Sequence, residues 1–138
     1  MRIFLDANIL VSVLNKEYPL FTFSSRVLSL ADTRQFTVYT SPLCLAIAFY
    51  FAEKKSGTRL AKQKISILAS KLSIARVTEN EVTASLQNKK VNDFEDGLQY
   101  YSAKNNKCKV IVTEDVKDYY FSELEILSTQ RFLEKYLF

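Results

Sequence analysis

The chain has 138 residues, of which 48% are apolar and 25% charged, with a net charge of +4. These proportions exclude a disordered chain and suit one globular domain spanning residues 1–138, large enough to bury a substantial core. With only 2 Gly and 2 Pro and no His, an all-β design rich in tight turns is excluded, as are Ser-His-Asp and Cys-His hydrolysis, histidine-based ribonuclease chemistry and ordinary zinc catalysis.

The first element is "RIFL", residues 2–5, a short continuous apolar run that predicts a fully buried strand. A short helix is expected from Asn8 to Leu14, and a second over Phe21 to Ala31, where Phe23, Val27, Leu28, Leu30 and Ala31 recur at helical spacing. "FTVYT" (36–40) is β-branched and aromatic and predicts a strand. Ser41 then suits an N-cap and Pro42 the first turn of a helix that runs to about Lys55, where Ser-Gly stops it. Thr58 to Leu72 predicts an amphipathic helix with Leu60, Ile65, Leu68 and Leu72 on its apolar face. "SIARV" (73–77) predicts a third strand, and Glu79 to Leu86 a short helix. "NDFE" reads as a capping box, Asn92 with Glu95, opening a helix whose apolar stripe is Phe94, Leu98 and Tyr101. "KVIVT" (109–113) and "EIL" (125–127) predict two more strands, and "TQRFLEKYL" a closing helix.

Strands alternating with helices predict an α/β fold, a largely parallel sheet with helices on both faces. Cys44 and Cys108 fall in no paired motif and are expected as free thiols. Asp6 breaks the apolar start, so it does not read as a signal peptide, and "SPLCLAIAFYFA" is too short to span a bilayer. A soluble cytoplasmic protein without a membrane partner is expected. The uncharged face of that stretch is expected in the core, with a dimer surface as the alternative.

Carboxylates fall where chemistry is expected. In parallel sheets, ligand sites form beyond the carboxyl ends of the strands. Asp6 follows the first strand and Asp115 the fourth, with Asp118 close behind. Asp93 and Asp96 open the helix that feeds the fourth strand, so they too belong on that rim. Each has a plain alternative as a helix cap, a first-turn acid or a turn residue. Together they would repel one another, and a divalent cation is the usual offset. Mg²⁺ favours oxygen ligands and phosphate, and such a site can activate water for in-line attack on a phosphodiester without histidine.

"IFLDANIL", "NDFEDGLQYYSA" and "VIVTEDVKDY", in that order, resemble the PIN domain family, which includes VapC-type toxins. The resemblance covers the chain from Arg2 to about Leu133. It implies a three-layer α/β/α sandwich around a five-stranded, largely parallel sheet. It further implies a Mg²⁺- or Mn²⁺-dependent ribonuclease, with RNA, an antitoxin and a second copy of the chain as partners. Asp6, Asp96 and Asp115 match the family's acidic positions, Asp93 and Asp118 match acids common near its site, and Asn8 and Thr113 match supporting polar residues. The basic residues Lys54, Lys55, Arg59 and Lys62, with the pair Lys89 and Lys90, are the expected contacts to RNA backbone; a solvated helix face is the plain alternative. One position departs from the family. About six residues after the serine that starts the third helix, where the family carries Glu or sometimes Asn, stands Ile47. Glu53 lies roughly 9 Å further along that helix and roughly 240° around it, so it faces elsewhere. Two readings remain open: a subfamily that binds metal with the other acids, or a weakened or silent PIN-like protein that binds RNA or acts as a scaffold.

Overall fold

The computed structural model describes residues 1–137. The opening apolar run forms β1 (Arg2–Leu5), the middle strand of a five-stranded sheet. On one side lie β2 (Thr37–Thr40) and β3 (Ser73–Ile74), and on the other β4 (Val110–Val112) and β5 (Glu125–Leu127). All four pairings are parallel. Ile3, Phe4, Leu5, Val110, Ile111 and Val112 are fully buried. Both faces of the central strands are covered, which is why their sequences are continuous in apolar character rather than alternating.

Among the described residues seven helices cover the sheet: α1 (Ala7–Leu14), α2 (Leu20–Ser29), α3 (Pro42–Ser56), α4 (Thr58–Lys71), α5 (Glu79–Gln87), α6 (Phe94–Asn105) and α7 (Thr129–Tyr136). A 3₁₀ turn, Leu30–Asp32, extends α2, and another, Val116–Tyr119, follows β4. The connections β1 to β2 and β2 to β3 step the same way across the sheet, so right-handed crossovers place α1–α4 on one face. There α1 packs on α2 and α3, α3 on α4, and α2 on α7. The step from β3 back to β4 runs the other way and carries the paired helices α5 and α6 to the opposite face. The result is a three-layer α/β/α sandwich, as expected. Its strand order reverses between β1 and β4, the topological switch point where such sheets bind ligands.

Local signals fixed several boundaries. Ser41 caps α3, its Oγ accepting from the Cys44 N–H at 3.0 Å, with Pro42 in the first turn. Gly57, at φ 82°, ends that helix in a backbone conformation that favours glycine. Cys44 and Cys108 are free and buried. The start of α6 corrects the sequence reading. Its N-cap is Asp93, not Asn92: Asp93 Oδ1 accepts from the Asp96 N–H at 3.1 Å, and no Asn92–Glu95 box forms. The acid one residue on caps the helix, which leaves Glu95 free to face solvent. Of the expected stripe, Leu98 is buried and Tyr101 packs half-buried against the core, whereas Phe94 is exposed; Tyr100 and Ala103 are buried as well. On α4, Leu60 is likewise exposed, and Ala61 takes the buried place where α4 crosses close to α3. Strand β3 stops at Ile74 instead of Val77. The Ala75 N–H still bonds to the Thr40 carbonyl, but the Arg76 carbonyl already accepts from Ser102 Oγ on α6, so the chain has left the sheet.

Gly97 of α6 packs closely against Ser85 of α5 and Val91 of the loop between the two helices. A Cβ there would lie 2.8 Å from Val91 Cγ1 and 3.0 Å from Ser85 Cβ. Alanine in a helix interior usually stabilises by up to about 1 kcal/mol over glycine. Here overpacking outweighs that gain. Gly97→Ala is expected to lower stability by about 1 kcal/mol in urea denaturation; a stabilised variant would contradict this packing.

Candidate active site

The site is built outward from Asp6. This residue ends β1 and caps α1, its Oδ1 accepting from the Ala7 N–H at 2.8 Å. Its Oδ2 accepts from Thr113 Oγ1 at 2.9 Å and from the Tyr119 hydroxyl at 3.1 Å. The side chain is 8% exposed. Burial is the largest influence on it and raises its pKa above the usual carboxylate range, even though these donors favour the charged form. The same burial raises the Tyr119 hydroxyl and pushes the nearby Cys44 thiol up to about 12, with Asp6 adding to both. Burial thus favours the neutral thiol at Cys44.

Asn8 clasps the loop after β4 to this point. Its Nδ2 donates to Thr113 Oγ1 at 3.0 Å and to Asp115 Oδ2 at 3.2 Å, while its Oδ1 accepts from the Glu114 N–H at 3.1 Å. Thr113 Oγ1 in turn accepts from the Asp115 N–H at 3.0 Å. The ends of β1 and β4 are thus joined by side chains as well as by the sheet.

A cavity of about 500 Å³ opens at this switch point. Asp6, Asp93, Asp96, Asp115 and Asp118, the five acids singled out in the sequence, all line it. So does Glu95, which sequence reading assigned only to a cap. Asp96 is pushed up to about 7, first by loss of solvent and then by the charges of Asp93, Asp6, Asp118 and Glu95. Glu95 is raised too, by partial burial and by Asp93 and Asp6. Among the described residues no three acid side chains converge on one point, so this is an acid-lined cleft and not a closed cage. The donor set is all hard oxygen and leaves room for water and phosphate, which fits a divalent cation of the Mg²⁺ class.

Comparison with known proteins decides the family. The PIN domain family profile matches residues 2–117. The chain belongs to the PIN domain family. It is 27% identical to ribonuclease VapC1 of Aquifex aeolicus over 139 residues, covering 98% of this chain and 95% of that protein. Its fold matches VapBC2 of Rickettsia felis, solved with a DNA fragment from the promoter, at a TM-score of 0.67 and 23% identity, over 93% of this chain and 98% of that one. It also matches VapBC-1 of nontypeable Haemophilus influenzae at 0.69 and 16% identity, over 94% and 99%. A third match is VapC20 of Mycobacterium tuberculosis, a toxin that cleaves the sarcin–ricin loop, at 0.62 and 16% identity, over 79% and 86%.

In this PIN domain Ile47 lines the cavity from α3, together with Phe51 one turn further on. An apolar side chain thus faces the acids where the family's sequence pattern would place an oxygen. Glu53 does not replace it: its carboxylate accepts from Thr58 Oγ1 at 2.8 Å at the α3–α4 turn. Tyr119 was present in the "TEDVKDY" motif, but its bond to Asp6 could not be read from spacing.

The basic residues divide. Lys55 Nζ donates to the Asn15 carbonyl, and Lys64 Nζ donates to the Leu14 carbonyl at 3.0 Å. Both bind the carboxyl end of α1, where cations are favoured by the helix dipole. Lys71 pairs with Asp32. Lys54 lies over the Tyr50 ring, and Arg59, Lys62, Lys89 and Lys90 are exposed. No helix among the described residues is long and apolar enough to cross a membrane.

The raised Asp96 pKa has a direction for stability. Its contribution is full below the unfolded value of 3.8 and is lost as pH rises through about 7. In metal-free protein, Asp96→Asn is therefore expected to stabilise the fold at pH above 7, by roughly 1 kcal/mol once solvent screening is allowed for. The gap should close towards acid pH. Thermal melts across pH in EDTA check this; a gap independent of pH would refute it.

Proposed function

We propose that this PIN domain is a Mg²⁺- or Mn²⁺-dependent ribonuclease that hydrolyses RNA phosphodiesters, and the toxin half of a toxin–antitoxin pair. The observation that carries the reading is the acid-lined cleft at the switch point between β1 and β4. Asp6, Asp96 and Asp115 are assigned to hold the cation, with Asp93 and Asp118 supporting. A bound cation supplies positive charge against the crowded carboxylates and Lewis acidity towards water and the scissile phosphate. The chain's own groups do the rest. Thr113, Tyr119 and the Ala7 N–H hold the Asp6 carboxylate in one orientation, and Asn8 holds Asp115 beside it.

Lys54, Arg59, Lys62, Lys89 and Lys90 are assigned to the RNA backbone, which makes binding salt-dependent; Lys55 is left out because its Nζ donates to the Asn15 carbonyl. The cytoplasm is the compartment proposed for the protein. The relation to VapC1, and to chains solved as VapBC assemblies, supports an antitoxin as protein partner; a second copy of the chain is proposed as another. Ile47 favours a second reading, in which the cation site is weakened and the protein binds RNA without efficient cleavage.

Cleavage of a labelled structured RNA separates these readings. Wild type with Mn²⁺ is expected to cut, while EDTA or Asp6→Asn reduces cutting to background; equal activity in Asp6→Asn would rule out the catalytic assignment. The second measurement concerns Ile47→Glu. It adds an oxygen donor to the cleft and is expected to tighten Mn²⁺ binding on the order of tenfold in calorimetry. Unchanged affinity would show that position 47 does not limit the site.

A further inference from the structure

The cleft has two unlike walls. One is carboxylate. The other is mostly apolar, formed by Val11, Leu20, Ile47 and Phe51, with Glu17 also in the lining. Phe51 is 44% exposed, and burying such a ring in a domain core would be the ordinary outcome. Its backbone is nevertheless fixed. The Phe51 carbonyl accepts from Asn15 Nδ2 at 3.4 Å, and the Asn15 carbonyl accepts from Lys55. Phe51 therefore presents an open ring on a rigid helix beside the acids. Next to it stands Tyr50, 51% exposed, with ring centroids 5.3 Å apart in an edge-to-face pair. Lys54 Nζ lies 4.7 Å from the Tyr50 centroid. Exposed aromatic rings interleaved with a cation thus run along α3 from the α3–α4 turn into the cleft.

Single-stranded nucleic acid is bound by this combination: cations follow the backbone while flat rings stack unpaired bases. A duplex offers no free base faces. We propose that Ile47 and Phe51 form a platform for one unpaired RNA base, seated beside the phosphodiester that faces Asp6, Asp96 and Asp115. Phe51 is a positioning residue in this account. Ile47 takes a place that would otherwise hold an acid because the platform needs an apolar floor. This inference rests on the ribonuclease reading above and deepens it.

The test is binding by fluorescence anisotropy with Ca²⁺ supplied as the cation and RNA integrity checked on a gel. Three probes are compared: a short oligouridylate, an RNA duplex of the same length, and inorganic polyphosphate. Phe51→Ala is expected to weaken oligouridylate binding roughly tenfold, with duplex and polyphosphate unchanged. Phe51→Trp, which keeps a stacking face, is expected to restore it. Equal losses on all three probes, or no loss on oligouridylate, would overturn the platform while leaving the ribonuclease reading intact. Wild type that neither binds nor cleaves any RNA would bring down that reading and the platform with it.

Discussion

The buried Asp6 carboxylate is the point on which the rest of the site depends. It stands where β1 stops and α1 starts, and it accepts from a backbone N–H of α1, from Thr113 at the end of β4 and from Tyr119 on the turn beyond. Desolvation works against its charge, and donors of this kind, worth roughly 1.5–3 kcal/mol each when the acceptor is charged, work for it. Desolvation is the larger of the two, and Asp6 is left above the usual carboxylate range. The same contacts lock β4's loop against β1. Asp115 is thereby carried into the cleft by Asn8 and Thr113, and Asp118 by the turn that also bears Tyr119.

Around that point the fold gathers charge that no cation side chain neutralises within the cleft lining. Asp96, raised to about 7, and Glu95 register this crowding. A fold that evolved only for stability would place these acids apart, because like charges at a partly desolvated rim oppose folding. Their joint placement at the strand-order reversal is what favours a divalent cation and a phosphate-bearing substrate. The lysines tell a complementary story. Lys55 and Lys64 are committed to the end of α1, whereas Arg59, Lys62, Lys89 and Lys90 stay exposed.

Much of this was legible in the chain itself. "RIFL" and "VIV" announced buried parallel strands because both faces of the sheet are covered. Asp6, Asp96 and Asp115 could be placed on one rim because topology ties the carboxyl ends of strands to the start of the crossover helix. What was not legible depended on contacts distant in sequence. Asn92 and Asp93 are both good caps, and only the geometry of the loop before α6 decides for Asp93. Glu95 was hidden by that misplaced capping box. Tyr119 and Asp6 are far apart in sequence, and nothing in their spacing predicts a hydrogen bond. Leu60 and Phe94 looked like core residues because periodicity records a helical face, not how far the neighbouring helix or sheet extends to cover it.

The central claim is that the acids around Asp6 form one divalent-cation site. Calorimetric titration of the metal-free protein with Mn²⁺ tests it most directly. Saturable binding below millimolar Mn²⁺, lost when Asp6 is replaced by Asn, is the predicted result. No binding at millimolar Mn²⁺, or binding that survives Asp6→Asn undiminished, would contradict it.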